Sequence, residues 1–283
     1  GLLEKLDIEP QIFYAGKYKS ATEPFRETEM TDPNRLQLTE LLQDIYGNFL
    51  LHTASTRKID TALLHRYANE SRVQFASDAV ETGLVDGLKY DDQVQDEIKA
   101  RLQVDKFEKI NFVSLGKYAQ AVDYKKDGSD RIAVIYAQGD IVMGKGERDM
   151  IGSESYCKLI RKVRLDKDIK AIVLRINSGG GSALASENIW RELTLAREEK
   201  PVVVSFGDVA ASGAYYLSCN ADSIFATPNT ITGSIGVFTM LPNMERFFKN
   251  KLGITFDEVT TGPDAAMYSV AKPLTPMQRK FVQ

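Results

Sequence analysis

Residues 171–182 (AIVLRINSGGGS) and 202–216 (VVVSFGDVAASGAYY) carry the pattern that decides the fold. Each segment begins with a run of aliphatic, mostly β-branched residues and passes through small residues into a stretch with helical spacing. Short continuous apolar runs are typical of strands that are buried on both faces of a sheet. Both segments therefore predict a strand followed directly by a helix.

The same alternation extends along the second half of the chain. Apolar runs at residues 131–137 and 223–226 predict two more strands. The predicted helices occupy residues 153–164, 183–199 and 212–219. Strands that alternate with helices at this spacing indicate an α/β fold with a largely parallel sheet. Ligands of such folds bind beyond the carboxyl ends of the strands, so the loops after residues 176 and 206 are the first candidates for a site.

The first half of the chain is predicted to be mainly helical, with one short strand near residues 12–14. The predicted helices occupy residues 34–54, 61–68 and 91–102, and residues 103–130 are predicted to connect the two halves.

A weak internal repeat relates the two ends of the chain. Lys5-Leu6-Asp7-Ile8 recurs as Lys251-Leu252-Gly253-Ile254, at an offset of 246 residues, and Gly16 falls on Gly262 at the same offset. Such ordered matches indicate a repeated unit. We therefore expect residues 1–125 to be the carboxyl-terminal half of one repeat unit and residues 126–283 to be the amino-terminal part of the next.

Composition excludes several classes of protein. The 283 residues include 36 Lys and Arg against 39 Asp and Glu, and 43% of the residues are hydrophobic, which is ordinary for a globular chain. The near balance of charge removes the electrostatic case for a nucleic-acid partner. The two cysteines lack C-x-x-C spacing, and His52 and His65 lack the spacing of a helical metal pair, so we expect no metal and no cofactor.

The glycine-rich segment at residues 177–182 has three possible roles. It could cradle a phosphate, although neither of the usual phosphate-binding glycine patterns is present. It could be a structural turn. It could also form an oxyanion hole, because glycines next to a helix start can aim backbone N–H groups into a pocket.

Ser212 stands among small residues where the next helix begins. Serine is a favoured helix N-cap, and taken alone that role explains Ser212 best. The glycine loop one strand earlier favours a nucleophile instead. A nucleophilic serine needs a base, and the scarcity of histidine suggests a lysine with a lowered pKa. Lys19 is a candidate in a short stretch, residues 15–21, that contains no acidic residue.

Several motifs resemble the signal peptide peptidase A family, which comprises serine–lysine proteases of the Clp/crotonase superfamily. The segments GDVAASGAYY (207–216), ADSI (221–224) and TGSIGV (232–237) look like the nucleophile region of that family. The segment GKYKSATEPF (16–25) is similar to the lysine motif of its long, tandem-repeat form. The resemblance implies an α/β fold of repeated ββα units.

The resemblance also implies roles for individual residues. Ser212 matches the nucleophile, Lys19 the general base and Ser234 a serine that orients the lysine amine. The amides of Gly180, Gly181 and Gly213 match the oxyanion donors. The sequence departs from the family at Gly179, where the family usually has proline. Ala265 stands where the second copy of the lysine motif would fall, so the base and the nucleophile come from different repeat units.

The resemblance further implies cleaved signal peptides as substrates and a homotetramer as the working form. It implies a location on the periplasmic side of the bacterial inner membrane, held by an amino-terminal anchor that we expect in the full-length protein and that this sequence does not contain. Two other classes remain open. A crotonase-type acyl-CoA hydratase or isomerase would use the same glycine loop without a nucleophilic serine, and a non-catalytic assembly protein could share the fold.

Overall fold

A computed structural model describes residues 1–121 and 128–283 of the chain. These residues fall into two units. Unit 1 comprises Gly1–Gln43 and Asp130–Gln283, and unit 2 comprises Asp44–Ser129. The repeat boundary predicted between residues 125 and 126 lies outside the described residues, so the division into repeat units stays a prediction.

Nine strands occur among the described residues, all of them in unit 1. They are β1 (Glu9–Tyr14), β2 (Arg131–Gln138), β3 (Asp140–Val142), β4 (Met150–Gly152), β5 (Ile169–Ser178), β6 (Val202–Ala211), β7 (Ser223–Phe225), β8 (Ile231–Gly233) and β9 (Phe238–Asn243). The main sheet has the order β2-β5-β6-β7, β8 also pairs with β6, and every pairing within it is parallel. The predicted α/β fold with a largely parallel sheet is confirmed.

Eleven α-helices occur among the described residues; six of them lie close to predicted positions, and five were not predicted. The eleven helices are α1 (Leu2–Lys5), α2 (Asp32–Arg57), α3 (Thr61–Asn69), α4 (Ala76–Glu81), α5 (Asp91–Leu102), α6 (Leu115–Ala121), α7 (Ser153–Leu165), α8 (Ala183–Arg197), α9 (Gly213–Ser218), α10 (Glu245–Phe247) and α11 (Pro276–Val282). A 3-10 turn covers Glu23–Phe25, and a π-helical turn covers Phe248–Leu252. In the described part of the chain, no helix is both long and apolar enough to cross a membrane.

Helix α6 lies inside the segment that the sequence predicted only as a connection. Ser114 caps its first turn, since the backbone N–H groups of Lys117 and Tyr118 donate to the Ser114 hydroxyl and carbonyl oxygens at 3.4 Å and 2.9 Å. The following residues, 122–127, lie outside the described ranges.

The core of unit 1 joins one face of the sheet to helices α7, α8 and α9. Aliphatic side chains from alternate strand positions and from the inner faces of the helices form one buried cluster, which includes Ile135, Ile160, Ile172, Leu174, Ile176, Ile189, Leu193, Val204 and Leu217. Burial of this apolar surface is the main source of the stability of such a fold.

Strand β2 differs from the prediction that the strands are buried on both faces. Ile135 and Ala137 belong to the core, whereas Ile132, Val134 and Tyr136 are exposed. Successive side chains of a strand point to opposite faces, so the apolar run supplies one core face and one exposed face. The prediction was wrong for β2 because an apolar sequence does not reveal which faces are covered.

The two copies of the internal repeat share their local backbone conformation. Asp7 and Gly253, which are equivalent in the repeat, each end a helical turn in the left-handed region, with φ of 56° and 67°. The strand that follows the first copy, β1, pairs antiparallel with β9, from Glu9 with Asn243 to Tyr14 with Phe238. This pairing joins the two ends of the chain within unit 1.

A pair of isoleucines on neighbouring strands tests the one-sided core. Ile172→Ala removes a side chain that is 0% exposed and should lower the free energy of unfolding by about 2–5 kcal/mol. Ile132→Ala removes a side chain that is 65% exposed and should cost less than about 1 kcal/mol. Denaturant unfolding of the two variants measures both values. Equal losses would contradict the assignment of the faces.

Candidate active site

Ser212 occupies the sharp turn that joins β6 to α9. Its backbone angles are φ 53° and ψ −120°, a conformation that costs a non-glycine residue about 1–3 kcal/mol. The Ser212 N–H donates to Gly233 O at 2.9 Å, so strand β8 holds the turn in place. Strain of this kind persists only where the surroundings enforce it, and it is concentrated at functional sites.

A buried lysine from the beginning of the chain reaches this turn. Lys19 is 7% exposed, and its Nζ lies 3.3 Å from Ser212 Oγ. The same amine donates to Ser234 O at 2.6 Å and to Ser234 Oγ at 2.9 Å. The structure thus brings together three of the residues that the sequence singled out, within one chain, although Lys19 and Ser212 are 193 positions apart.

The surroundings of Lys19 favour its uncharged form. Burial lowers the pKa of the Lys19 amine below that of a free lysine, because desolvation penalises the charged ammonium. The recorded hydrogen-bond partners of the amine in the described part of the chain are all neutral oxygens. A neutral oxygen offsets the desolvation of an ammonium less than a carboxylate does.

A close backbone contact docks the lysine loop against the segment that carries Ser234. The Ala15 N–H donates to Val237 O at 2.9 Å. Gly236 has φ 117°, and a Cβ added there would lie 2.4 Å from Ala15 O and 3.9 Å from Lys19 Cδ. Glycine is therefore required at position 236 for the two segments to approach each other.

The glycine loop lies against the turn at Ser212. A Cβ added to Gly180, which has φ 102°, would lie 2.6 Å from Gly213 N and 2.9 Å from Ser212 Cβ. The Gly180 N–H already donates to Ser178 Oγ at 3.1 Å. Gly180 therefore shapes the contact between the loop and the turn, and its own amide is occupied.

The backbone of Gly181 approaches Gly213 at the same contact. A Cβ added to Gly213 would lie 3.4 Å from Gly181 N. The carbonyl of Gly180 and the N–H of Ser182 both bond to Ile141 of β3, at 2.9 Å and 2.8 Å, so the loop around Gly181 is fixed. Two fixed amides next to a serine hydroxyl could stabilise an oxygen that acquires negative charge.

Sequence reasoning missed three contributors to this geometry. The main-chain oxygen of Ser234 accepts from Lys19, Ser178 occupies the Gly180 amide, and Ile141 braces the glycine loop. Ser234 adopts a positive φ of 51°, which its position between Gly233 and Ile235 does not indicate. The bracing by Ile141 depends on its pairing with the glycine loop, which no local pattern indicates, whereas the bond between Ser178 and the Gly180 amide is local.

No metal site accompanies this arrangement in the ranges 1–121 and 128–283, where no group of three or more His, Cys, Asp and Glu side chains is placed to hold an ion. The side chain bonded to Ser212 Oγ is instead that of Lys19, which also contacts the Ser234 hydroxyl.

The lowered pKa of Lys19 predicts how stability depends on pH. Between the lowered pKa and the ordinary lysine value of about 10.4, the unfolded chain holds a proton that the folded chain has released. The contribution of Lys19 to the free energy of unfolding should therefore be least favourable below its folded pKa, and it should become more favourable as the pH rises through this window.

Denaturant unfolding of the parent chain and of Lys19→Met, at a series of pH values, measures this contribution. The parent should gain stability relative to the variant as the pH increases. Lys17→Met removes an exposed lysine two positions away and serves as the matched control. A pH-independent difference for Lys19→Met would contradict the burial of the charge.

Known proteins with similar sequences have been named as proteases. Serine protease SPPA, chloroplastic, of Arabidopsis thaliana is 35% identical to this chain and aligns with 100% of it, which is 43% of that protein. Protease 4 of Haemophilus influenzae is 33% identical over 96% of this chain and 46% of its own length. The putative signal peptide peptidase SppA of Enterococcus faecium is 30% identical over 62% of this chain and 52% of its own length.

This chain therefore spans less than half the length of the first two relatives. The characteristic sequence pattern of Peptidase family S49 matches residues 1–105 and 194–283, which together are more than half of the chain. From this match and from the alignments over nearly the whole chain, we conclude that the chain belongs to Peptidase family S49.

Proposed function

We propose that this chain is a serine protease in which Ser212 is the nucleophile and Lys19 is the general base. The observation that carries the proposal is the position of the Lys19 amine, 3.3 Å from Ser212 Oγ and in hydrogen-bond contact with two oxygens of Ser234. Membership of a peptidase family and the names of the relatives support the same reaction class.

The hydrogen bonds of Lys19 leave its lone pair available for Ser212. A neutral amine has two N–H groups and one lone pair, and Ser234 O and Ser234 Oγ accept the two N–H groups. The lone pair is then free to accept the Ser212 proton. Ser234 thus acts as the orienting residue, because it selects which side of the amine faces the nucleophile.

The first step is attack on a peptide carbonyl. Lys19 removes the Ser212 proton as Oγ bonds to the carbonyl carbon, and the carbonyl oxygen becomes negatively charged. The amides of Gly181 and Gly213 would stabilise this oxygen. Gly180, the third glycine expected at the oxyanion site, contributes by bringing the loop against the turn, since its own amide is bonded to Ser178.

Proton return completes the reaction. The Lys19 ammonium donates its proton to the leaving amine as the C–N bond breaks, which leaves an acyl group on Ser212. Water then attacks the ester carbonyl while Lys19 accepts a proton from that water. The C–O bond to Ser212 breaks as Lys19 returns the proton to Ser212 Oγ, which releases the acid product and restores the neutral amine. Because a buried ammonium is disfavoured, the amine gives up its proton readily at each cycle.

Extended apolar peptides, such as cleaved signal peptides, are the proposed substrates. Exposed apolar side chains, Ile235, Val237 and Phe238, immediately follow Ser234 and would favour such peptides. The name of the Enterococcus faecium relative supports the same substrate class. On the family resemblance, we also propose that the whole protein is a homotetramer anchored on the periplasmic side of the bacterial inner membrane, with no nucleic-acid partner.

Substitution of the two proposed catalytic residues tests the reaction. Ser212→Ala and Lys19→Met should each lower peptide hydrolysis by about 1,000-fold or more, because each removes a reacting group. Lys17→Met, an exposed neighbour, should retain the activity of the parent chain.

A fluorophosphonate probe should label Ser212 in the parent, and kcat/KM should rise with pH through a pKa below that of free lysine.

Two outcomes would contradict this assignment. Peptide hydrolysis by Ser212→Ala would exclude Ser212 as the nucleophile. Turnover of an acyl-CoA thioester without labelling of Ser212 would favour the crotonase-type alternative, in which the glycine loop acts without a serine.

Adjacent glycines provide a matched test of the oxyanion site. Gly180→Ala would place a methyl group 2.6 Å from Gly213 N and should lower kcat by about 100-fold or more. Gly179→Ala meets no atom within 4 Å and should behave as the parent does. KM should change little in either variant if the amides act on the transition state. Equal activities of the two variants, with both folded, would exclude this role for the loop.

A further inference from the structure

A buried carboxylate lies four residues after Lys19 and has no place in the mechanism above. Glu23 is 5% exposed. One carboxylate oxygen accepts from Thr31 Oγ1, and the other accepts from Asn34 Nδ2 at 2.7 Å. A buried carboxylate is costly unless such bonds compensate it. Thr31 directly precedes α2 and Asn34 lies in its first turn, so Glu23 ties the lysine loop to the beginning of that helix.

A second connection joins the same loop to the same helix. Gln37 Nε2 donates to Asn34 Oδ1 at 2.9 Å and lies 3.1 Å from Ser20 Oγ. A chain of side-chain hydrogen bonds therefore runs from Ser20 through Gln37 and Asn34 to Glu23. Both of its ends lie within four residues of Lys19, on its carboxyl-terminal side.

The internal repeat shows that this loop can keep its backbone without the lysine. The Lys19 N–H donates to Gly16 O at 3.1 Å, and at the equivalent place the Ala265 N–H donates to Gly262 O at 3.2 Å. The second copy therefore makes the same turn with alanine in place of lysine.

At the offset of 246 residues, the second copy has serine in place of Glu23. The Glu23 N–H donates to Ser20 O at 2.9 Å, and 246 positions later the Ser269 N–H donates to Ala266 O at 3.1 Å. Serine thus replaces Glu23 without loss of the backbone bond. The turn therefore does not need a carboxylate at this position. The second copy is tied to its following helix, α11, by another carboxylate, since Gln278 Nε2 donates to Asp264 Oδ1 at 2.8 Å.

We propose that Glu23 is a positioning residue, which holds the loop on α2 so that the Lys19 amine stays buried beside Ser212. This inference rests on the proposed function of Lys19. Glu23 makes no hydrogen bond or ion pair with Lys19, Ser212 or Ser234 in the described residues, so it acts through the loop.

The charged group next to Glu23 is Arg26, whose Nη2 lies 3.8 Å from Glu23 Oε1. The groups that contact Glu23 from Thr31 and Asn34 are neutral. The bond from Thr31 lowers the pKa of the Glu23 carboxyl, which favours the charged form.

Two substitutions of Glu23 separate its charge from its hydrogen bonds. Glu23→Ala removes both. Glu23→Gln removes the charge, but its amide can donate to Asn34 if the amides of Asn34 and Gln37 turn over, because the Ser20 hydroxyl can donate as well as accept. Glu29→Ala removes an exposed carboxylate close by in the chain and serves as the matched control.

The rate of probe labelling at Ser212, measured against pH, reports on the Lys19 amine. Glu23→Ala should slow labelling at neutral pH by about 10–100-fold and should move the rise in rate to higher pH, because a loosened amine becomes hydrated and regains a more ordinary pKa. Loss of a nearby negative charge alone would move the rise to lower pH. Glu23→Gln should lie close to the parent, and Glu29→Ala should match it.

Hydrogen exchange provides a readout that needs no activity. The amides of Lys19 and Glu23 should exchange faster in Glu23→Ala, while amides of β5 and β6 stay protected. If Glu23→Ala does not fold, Asn34→Ala should show the same changes to a smaller degree.

The outcomes distinguish the two proposals. An unlabelled parent chain would overturn the proposed function and this inference with it. A labelled parent together with a Glu23→Ala variant that matches Glu29→Ala in labelling rate, pH profile and exchange would overturn the inference alone. Fewer active molecules with an unchanged pH profile would indicate a merely structural role and would also overturn it.

Discussion

The arrangement of the site depends on keeping an amine buried without a counter-ion. Lys19 lies beside Ser212, and the oxygens that surround it are neutral. A carboxylate at hydrogen-bond distance would stabilise the ammonium and raise the pKa of the lysine. The nearby carboxylate, that of Glu23, is bonded instead to Thr31 and Asn34. The fold therefore surrounds the amine with hydrogen-bonding oxygens that carry no charge.

The backbone strain at the two serines has a common explanation. Ser212 and Ser234 both have positive φ, 53° and 51°, where glycine would be more comfortable. Glycine would relieve the strain, but it would remove the hydroxyl that faces the amine. Pairing of β8 with β6 ends at Gly233, directly before Ser234, and it also holds the turn at Ser212. One short strand thus enforces both strained positions.

Much of the fold could be predicted from the sequence because its signals are local. The apolar runs predicted strands β2, β5, β6 and β7, and periodic spacing predicted α7 and α8 within a few residues. The exposed face of β2 could not be predicted, because the covering of a strand depends on which layers pack against it. The full extent of β6 was also missed, since its last five residues, 207–211, include glycine and an aspartate.

The residues of the candidate site also fall into two groups: those that the sequence alone could indicate and those that only the folded structure shows. Ser212 and the glycine loop could be noticed from local patterns, whereas Lys19 could be singled out only through a family resemblance, because in isolation it reads as a solvated lysine. The hydrogen bonds of Glu23 to Thr31 and Asn34 depend on contacts between segments, whereas the bond that occupies the Gly180 amide comes from Ser178, two residues away. No local pattern indicates the bonds of Glu23, although the offset of 246 residues places Ser269 at the position equivalent to Glu23.

The pairing of β1 with β9 affects when the site can form in a newly synthesised chain. β1 leaves the ribosome before its partner, which follows more than 220 residues later. Contacts of such long sequence separation form late and slowly, because a large loop must close first. On the proposed mechanism, base and nucleophile meet only after this closure. A newly synthesised chain would then be unable to cleave other proteins until β1 had paired with β9. Activity would therefore appear only some time after synthesis.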